Sequence, residues 1–286
     1  MTTVSRLTHE LVQRAEYFPR TALRGERVRV RGLALAAVLL AGFANAAAAD
    51  SAALDALVRA YPEQLAGYDA TYLIWRDGTQ MPLAAGEPSI LDQIRLRYPA
   101  GASAAALYQQ SDPGRVRNRA FFDKMYGDCW RGEVAPRLVP VVWLRQSWGH
   151  TIRITAVNAV AARLAEISSE LDALPAALKR YAYPPAGTYN CRTVADTGAP
   201  SMHSWGAAID INSAYAAYWL WPRGAAADGI PAEIIDVFER HGFIWGGKWS
   251  HYDTMHFEYR PELLDGLPNA VHRAGAAGNP GPSAIK

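Results

Sequence analysis

The chain has 286 residues, of which 50% are hydrophobic and 20% are charged. Its 29 basic side chains nearly balance its 27 acidic ones, which argues against a nucleic-acid partner. This length is sufficient for one sizeable hydrophobic core, or for a core together with a small subdomain.

An apolar run occupies residues 33–43 and is too short for a helix to cross a bilayer. Several arginines precede this run, and small residues follow it at positions 44–49. A basic flank, a short apolar core and an Ala-x-Ala site are typical of a secretory signal peptide. We therefore predict a signal peptide at residues 1–46, cleaved after Ala46 or Ala49. The mature protein would be periplasmic or secreted and would have no membrane span.

The predicted cleavage changes how charge and cysteine content are interpreted. Residues 1–46 contain seven arginines and three glutamates, so the mature chain has 22 basic and 24 acidic side chains. The sequence pI of about 8.5 therefore belongs mainly to the leader. The chain's two cysteines, Cys129 and Cys191, both lie in the mature part. An even number of cysteines in an exported protein predicts a disulfide between them.

The first predicted elements of the mature chain are short. An apolar face predicts a helix over residues 51–60. The turn dipeptide Asp77-Gly78 separates apolar runs at 72–75 and 81–83, which predicts two strands. Residues 97–119 contain several turn-forming Pro and Gly residues, and we predict a long surface connection there.

Larger elements are predicted further along the chain. An amphipathic helix with an aromatic face is predicted over 121–126 and should end at Gly127, and strands are predicted at 139–144 and 151–154. The clearest helix is marked by an apolar stripe formed by Val157, Val160, Leu164, Ile167, Leu171 and Leu174.

The ends of the later helices are also predicted from local residue types. Thr155 is a candidate N-cap for the striped helix and Pro175 marks its end, with Asp172 on the solvent face. Another helix is predicted from Pro231 to a stop at Gly242. The tail from residue 270 is rich in Gly, Ala and Pro, which favours disorder.

Residues 203–256 contain the donors that a catalytic zinc ion needs. Such a zinc ion takes three nitrogen or oxygen ligands and keeps one position open for water. Small residues separate His203 from Asp210, so a tight turn entering a strand can bring the two together, and His256 lies in a second predicted strand. Two imidazoles and one carboxylate leave the bound site with one positive charge, which suits metal activation of water. We predict one Zn²⁺ per chain.

Hydrolysis also needs a base that does not bind the metal. Asp253 precedes His256 by three residues, on a predicted turn, and is the favoured candidate. Glu258 is the rival, although its place on the same strand face as His256 also suits a residue that orients the imidazole. His251 is not assigned to the site, because its five-residue spacing from His256 fits neither a helix face nor a strand face.

Two motifs in this region resemble a known family. They are Ser-x-His-x-x-Gly-x-Ala-x-Asp at 201–210 and Asp-x-x-His-Phe-Glu at 253–258. Together they resemble the D-alanyl-D-alanine carboxypeptidase and L-alanoyl-D-glutamate endopeptidase family of zinc peptidases. The resemblance extends to residues 189–192, more loosely to 126–129, and covers about 120–265.

The resemblance implies a fold and a set of domains. The fold would be α+β, with a small antiparallel sheet flanked by helices, of the hedgehog/D,D-peptidase type. We expect an N-terminal extension or subdomain at 47–120, a zinc peptidase domain at 121–268 and a flexible tail at 269–286.

The resemblance also implies roles for individual residues. The metal ligands would be His203, Asp210 and His256, in agreement with the chemistry of the donors. Asp253 would be the general base, Arg192 would bind the scissile carbonyl, and Ser201 would bind substrate. Asp253 and Arg192 would thus be catalytic residues, and Ser201 and Arg192 would be substrate-binding residues.

The expected function is hydrolysis of peptidoglycan stem peptides by metal-activated water. Asp rather than Glu at position 253 resembles the endopeptidase branch of the family more than the dipeptidase branch, which implies an endopeptidase. Two alternatives stay open: a D,D-carboxypeptidase or dipeptidase that removes terminal D-Ala, and a non-catalytic cell-wall-binding module with a structural zinc.

Overall fold

The structure is a computed structural model that describes residues 48–96, 98–101, 112–221 and 229–264. The predicted signal peptide and the predicted disordered tail lie outside these ranges. Within them, no helix is both long enough and apolar enough to cross a bilayer.

The described residues form short helices and strands. The helices are α1 (48–60), α2 (Ile90–Arg95), α3 (Arg119–Tyr126), α4 (Val160–Asp172), α5 (Ala176–Lys179) and α6 (Ala232–Arg240). The strands are β1 (Leu65–Tyr68), β2 (Tyr72–Trp75), β3 (Gln80–Pro82), β4 (Leu138–Trp143), β5 (His150–Thr155), β6 (Ala208–Asp210), β7 (Phe243–Trp245) and β8 (His256–Tyr259).

All strand pairs in these ranges are antiparallel, which confirms the predicted α+β class. The strands form three small sheets rather than one, in the orders β1-β2-β3, β4-β5 and β6-β8-β7. The third sheet carries two of the predicted metal ligands, one on β6 and one on β8.

One hydrophobic cluster joins these elements. It contains Leu57 of α1, Leu73 of β2, Phe122 of α3, Leu164 of α4 and Phe257 of β8. Side chains from both sides of the predicted domain boundary at residue 120 therefore share one core. The boundary itself stays a prediction.

The central strand of the third sheet is fastened by aromatic packing. Phe257 on β8 stacks on Phe238 of α6, with ring centroids 3.9 Å apart. Trp245 on β7 lies next to Phe257 on the sheet, and its indole N–H donates to the carbonyl of Thr254 at 2.8 Å. Burial of large aromatic side chains is among the strongest stabilising contributions to a core, so β8 is held firmly where the site lies.

The predicted start of the striped helix is wrong. Thr155 ends β5 instead of capping α4. A 3₁₀ turn at 157–159 intervenes, in which Asn158 and Ala159 have φ values of 54° and 57°, so α4 begins at Val160. The local residue types did not show this break, because the apolar stripe continues across it.

Asp172 was predicted to lie on the solvent face of this helix, and that is also wrong. Its carboxylate is buried and accepts a hydrogen bond from the Gln146 backbone N–H at 2.6 Å and another from the Ser147 hydroxyl. These contacts tie the end of α4 to the loop that follows β4.

The surface connection predicted at 97–119 is only partly correct. Tyr98, Arg117 and Asn118 are buried. The Tyr98 hydroxyl donates to the Glu239 carboxylate, and the Asn118 side chain caps α3 by accepting from the Phe121 N–H at 2.9 Å. β1 and α2 were not predicted from the sequence.

The predicted disulfide between Cys129 and Cys191 is present, with 5.7 Å between the two Cα atoms. It joins the 3₁₀ turn after α3 to the segment that carries Arg192. The covalent link thus anchors the residue next to a predicted catalytic side chain.

We expect thiol titration of denatured, unreduced protein to find no free cysteine. Replacing both residues (Cys129→Ser with Cys191→Ser) should lower the free energy of unfolding by up to about 4 kcal/mol, because the bridge closes a loop of 62 residues. Urea denaturation of the wild type and the double variant measures this difference. Two titratable thiols in the wild type would contradict the pairing.

Candidate metal centre

His203 is placed by a short turn that its neighbours specify. The 3₁₀ turn Met202–Trp205 begins after Ser201 and ends at Gly206, whose φ of 65° is in the left-handed region that favours glycine. A side chain at Gly206 would also come within 2.6 Å of the Leu138 side chain. The turn therefore needs glycine, and it holds His203 buried beside β6.

Asp210 and His256 are brought together by strand pairing. Asp210 ends β6, His256 begins β8, and the two are directly opposite in the antiparallel register. Directly opposite residues place their side chains on the same face, with Cβ atoms about 5 Å apart. Residues 46 positions apart in the sequence thus share one end of the sheet.

The donor atoms of the three predicted ligands form a compact triangle. His203 Nε2 lies 3.1 Å from His256 Nδ1 and 3.1 Å from Asp210 Oδ1, and His256 Nδ1 lies 2.9 Å from Asp210 Oδ1. Ligands about 2.0–2.1 Å from a tetrahedral zinc ion are about 3.3 Å apart. Within the described residues, these three form the one cluster of potential metal ligands, and their chemistry and spacing fit zinc.

The other nitrogen of each imidazole is occupied by a hydrogen-bond acceptor. His203 Nδ1 faces the Thr188 carbonyl oxygen, and His256 Nε2 lies 3.0 Å from Glu258 Oε2. When these nitrogens carry the proton, the unprotonated atoms His203 Nε2 and His256 Nδ1 direct their lone pairs to the side of Asp210. Such partners fix the tautomer and orientation of metal-binding histidines.

Glu258 is itself held by two buried arginines. Its carboxylate has no exposure to solvent, and it pairs with Arg117 Nη2 and with Arg260 Nη1, the latter at 3.3 Å. Burial by itself would raise the pKa of Glu258, but the charges of Arg117 and His256 lower it to about 2. Glu258 is therefore a fixed anion behind His256, and it does not line the cavity described below.

The charges of the three candidate ligands favour a positive charge at the point where the side chains meet. Burial opposes ionisation of Asp210, but the charges and hydrogen bonds of His203 and His256 lower its pKa well below the usual range. Burial likewise opposes protonation of His256, but hydrogen bonds to Asp210 and Glu258 raise its pKa to about 10. A cation is thus stabilised at the point where these side chains meet.

Asp253 lies on the loop before β8, as predicted. Its backbone N–H donates to the Gly246 carbonyl at 3.0 Å, and a side chain at Gly246 would come within 2.6 Å of the Asp253 carbonyl oxygen. Among the described residues, no hydrogen-bond partner reaches the buried Oδ1 of Asp253. Burial raises the pKa of Asp253 to about 6, while nearby His256 acts against this. This carboxylate is free to accept a proton.

A cavity of about 270 Å³ opens onto these groups. Of the predicted site residues, Arg192, Ser201, Asp210, Asp253 and His256 line it, while His203 does not. Ser201 is 3% exposed, and its hydroxyl also accepts a hydrogen bond from the His203 backbone N–H at 3.4 Å. Ser201 therefore has a structural contact in addition to its place in the cavity wall.

Other cavity residues were not assigned to the site from the sequence. They include Arg115, Arg117, Tyr218, Trp221 and Trp249. The two arginines fall in the segment predicted to be a surface connection, and nothing in their local sequence separates them from solvent-exposed arginines. The alternation of Arg115 and Arg117, two positions apart, was the one available signal.

Three further side chains near the two sequence motifs make contacts outside the cavity. Trp205 is buried, and its indole N–H donates to Asp123 at 2.9 Å; Trp245 packs against β8. His251 does not line the cavity, and its Nδ1 lies 2.7 Å from Asp112 Oδ2.

Residues 195–259 match a family model described as D-alanyl-D-alanine carboxypeptidase. The matched segment is less than a quarter of the chain, but it includes the three candidate ligands and Asp253. No curated protein and no solved structure matches the chain. The match supports a hydrolytic enzyme of the peptidase type and agrees with the resemblance seen in the two motifs.

We expect the purified protein to contain about one zinc ion per chain. His203→Ala and His256→Ala should each abolish zinc binding, because each removes one of three ligands. His251→Ala is the matched control, since this histidine is near in sequence but outside the cluster, and it should retain full zinc content. Elemental analysis by mass spectrometry after dialysis measures the ratio. Full occupancy in either ligand variant would show that the ligand assignment is wrong.

Proposed function

We propose that this chain is a zinc-dependent peptidase that hydrolyses peptidoglycan stem peptides, with endopeptidase cleavage favoured. One observation carries the proposal: two of the three proposed ligands, Asp210 and His256, line the same cavity as Asp253, whose buried Oδ1 has no hydrogen-bond partner among the described residues. The family match over the same residues supports the peptidase chemistry.

The proposed ligands of the zinc ion are His203, Asp210 and His256. When bound there, zinc would supply Lewis acidity, polarising the scissile carbonyl and acidifying water. The remaining steps depend on side chains of the cavity wall.

Asp253 is the proposed general base. Its Oδ1 has no partner among the described residues, so it can accept a proton from the attacking water and then pass it to the leaving amine. Glu258 is less suited to this role, since it is fully buried and paired with Arg117 and Arg260. Its contact with His256 suits an orienting role instead.

Arg192 is the proposed partner of the carbonyl oxygen. Its side chain lines the cavity, and its backbone is held by Ser204, whose hydroxyl accepts from the Arg192 N–H at 3.1 Å and donates to the Arg192 carbonyl at 2.7 Å. The residue itself is exposed, so its guanidinium can reach a substrate carbonyl and stabilise the negative charge that develops on the oxygen during attack. Ser201 is proposed to bind substrate at the same wall.

The proposed function also implies a fold type and a cellular location. The fold would be of the hedgehog/D,D-peptidase type, and export would bring the enzyme to its substrate. The disulfide agrees with an oxidising compartment.

Two other functions are possible outcomes of the experiments below. Removal of terminal D-Ala by carboxypeptidase or dipeptidase action would use the same groups. A binding module with a structural zinc would need neither the unpartnered Asp253 carboxylate nor a cavity beside the metal ligands, so the observed arrangement favours catalysis.

We expect Asp253→Asn to keep the fold and the zinc but to lose at least about 100-fold in activity, and up to about 10,000-fold, the usual contribution of general acid–base catalysis. Arg192→Ala should keep zinc and lose roughly 100- to 1,000-fold, as when one oxyanion donor is removed. The measurement is mass spectrometry of purified muropeptides after incubation with each variant, with zinc content and thermal melting measured in parallel.

Glu258→Gln provides the comparison for Asp253→Asn. It should weaken zinc binding by about 10- to 100-fold, as expected for loss of a partner that orients a ligand, yet retain more activity than Asp253→Asn when zinc is saturating. An active Asp253→Asn variant beside an inactive, zinc-loaded Glu258→Gln variant would reverse the assignment of the base. A zinc-loaded wild type that binds peptidoglycan but cleaves no muropeptide would favour the binding module.

A further inference from the structure

One wall of the cavity comes from a segment upstream of the family match. Arg115 and Arg117 both line the cavity from this segment. The charge of Arg117 is balanced by the buried Glu258. The Arg115 side chain is only 10% exposed, and its Nη2 donates to Asp196, on the loop that follows Arg192. Arg115 is therefore fixed in the wall by an ion pair that joins two separate segments.

The Arg115 guanidinium has donors left after this pairing. Arginine carries five N–H bonds in a rigid planar fork that fits carboxylates. The contact with Asp196 uses Nη2, and no acceptor for Nε or Nη1 is found among the described residues. An arginine held by one carboxylate in this way can bind a second one.

The charges around the cavity favour an anionic group in the substrate. Three arginines line it, against the two acids Asp210 and Asp253. Asp210 is already engaged by two imidazoles. Among the described residues no salt bridge is formed by Arg192, although its charge acts to lower the pKa of Asp253, and in the same ranges the buried Nε of Arg117 has no acceptor. Hydrogen-bond donors of the arginines thus outnumber the carboxylate acceptors in this wall of the cavity.

The dimensions also agree. The carboxylate carbon of the residue after the scissile bond lies only about 2.5 Å from the scissile nitrogen, so the two groups must bind side by side. A cavity of about 270 Å³ can hold both groups. Val194, Ala195 and Met255 add an apolar part to the wall, which suits a small side chain beside the carboxylate.

We propose that Arg115 is a specificity-determining residue that binds a free carboxylate on the substrate residue following the scissile bond, and that Asp196 holds its guanidinium in place. The proposal rests on the proposed peptidase function and extends it. Two stem-peptide positions carry such a group: a C-terminal D-Ala, and a D-Glu that is linked through its side chain and so keeps its α-carboxylate.

The experiment uses one pair of synthetic peptides for each source. The first pair ends in D-Ala-D-Ala with a free carboxylate or with a C-terminal amide. In the second pair the L-Ala carboxyl is bonded to the α-amine of D-Glu, whose side-chain carboxyl carries the next residue, and the D-Glu α-carboxylate is free or amidated. Values of kcat/KM are measured for the zinc-loaded wild type and for the variants Arg115→Gln, Arg115→Lys and Asp196→Asn. Arg131→Gln is the control, since this arginine is exposed and outside the cavity.

For the pair that the wild type cleaves, we expect the free carboxylate to be preferred by about 10- to 100-fold, the range expected for a charged hydrogen bond. Arg115→Gln should abolish this preference, mainly through KM. Asp196→Asn should weaken it only in part, because the guanidinium remains but loses the carboxylate that holds it, and Arg115→Lys should also keep part of it. The Arg131→Gln control should match the wild type.

The two substitutions at the ion pair separate binding from structure. Both break the contact between Arg115 and Asp196, but only one removes the guanidinium. Equal losses in Arg115→Gln and Asp196→Asn, the same for carboxylate and amide peptides, would show a purely structural pair and overturn the proposal. A wild type that cleaves both members of a pair equally would also overturn the proposal. The peptidase function would still stand in that case. Cleavage of no peptide in either pair would reject the peptidase function itself and, with it, the proposal.

Discussion

The contact between His256 and Glu258 connects the candidate metal centre to the hydrophobic core. Glu258 has no solvent exposure, and Arg117 and Arg260 balance its charge from two different segments. Removing one partner from a buried ion pair typically costs about 3–5 kcal/mol, because it leaves an uncompensated charge. The orientation of the His256 ring is therefore fixed by interactions that the fold itself requires.

This network extends to the start of the described chain. Arg260 Nε donates to Glu262 at 2.6 Å, and Glu262 accepts from the Tyr61 hydroxyl at 2.7 Å. Tyr61 follows α1, some 200 positions before Glu262. Buried polar networks of this kind are favourable only when most of their members are satisfied. The segment before residue 120, whose purpose the sequence left open, thus supplies partners for the charges behind the metal ligands.

The opposite side of the cavity is built differently, on loops held by a few links. The disulfide fixes Cys191, and the Ser204 hydroxyl holds the Arg192 backbone on both sides. On the loop that carries Asp253, His251 is tied to Asp112 through its backbone N–H at 2.8 Å and its ring. Catalytic groups on loops need such links, because the precision of their placement determines the rate. The proposed metal ligands lie on a sheet and a turn, whereas Arg192 and Asp253 lie on cross-linked loops.

Local residue patterns were sufficient for the elements with strong periodicity or distinct turn chemistry. The aromatic face of α3, the β4 and β5 strands and the Pro231 start of α6 were predicted, because apolar spacing and capping residues act within one element. The break before α4 was missed, because the left-handed conformation suits Asn158 but not Ala159, whose own preference is for a continuous helix. β1 and α2 are too short to produce a clear pattern.

By itself, the sequence determined the identity of the candidate ligands and of Asp253, since few residue types can bind zinc or move protons and their spacing is distinctive. Only the tertiary structure decided which charged residues support them. Arg115 and Arg117 look in sequence like any surface arginines, and their partners Asp196 and Glu258 are far away in the chain. The same holds for Glu258: its spacing from His256 allowed two roles, and burial between two arginines favours orienting the imidazole. Pairing of charges that are 81 and 141 positions apart leaves no local pattern, because it is chosen by the packing of the whole core.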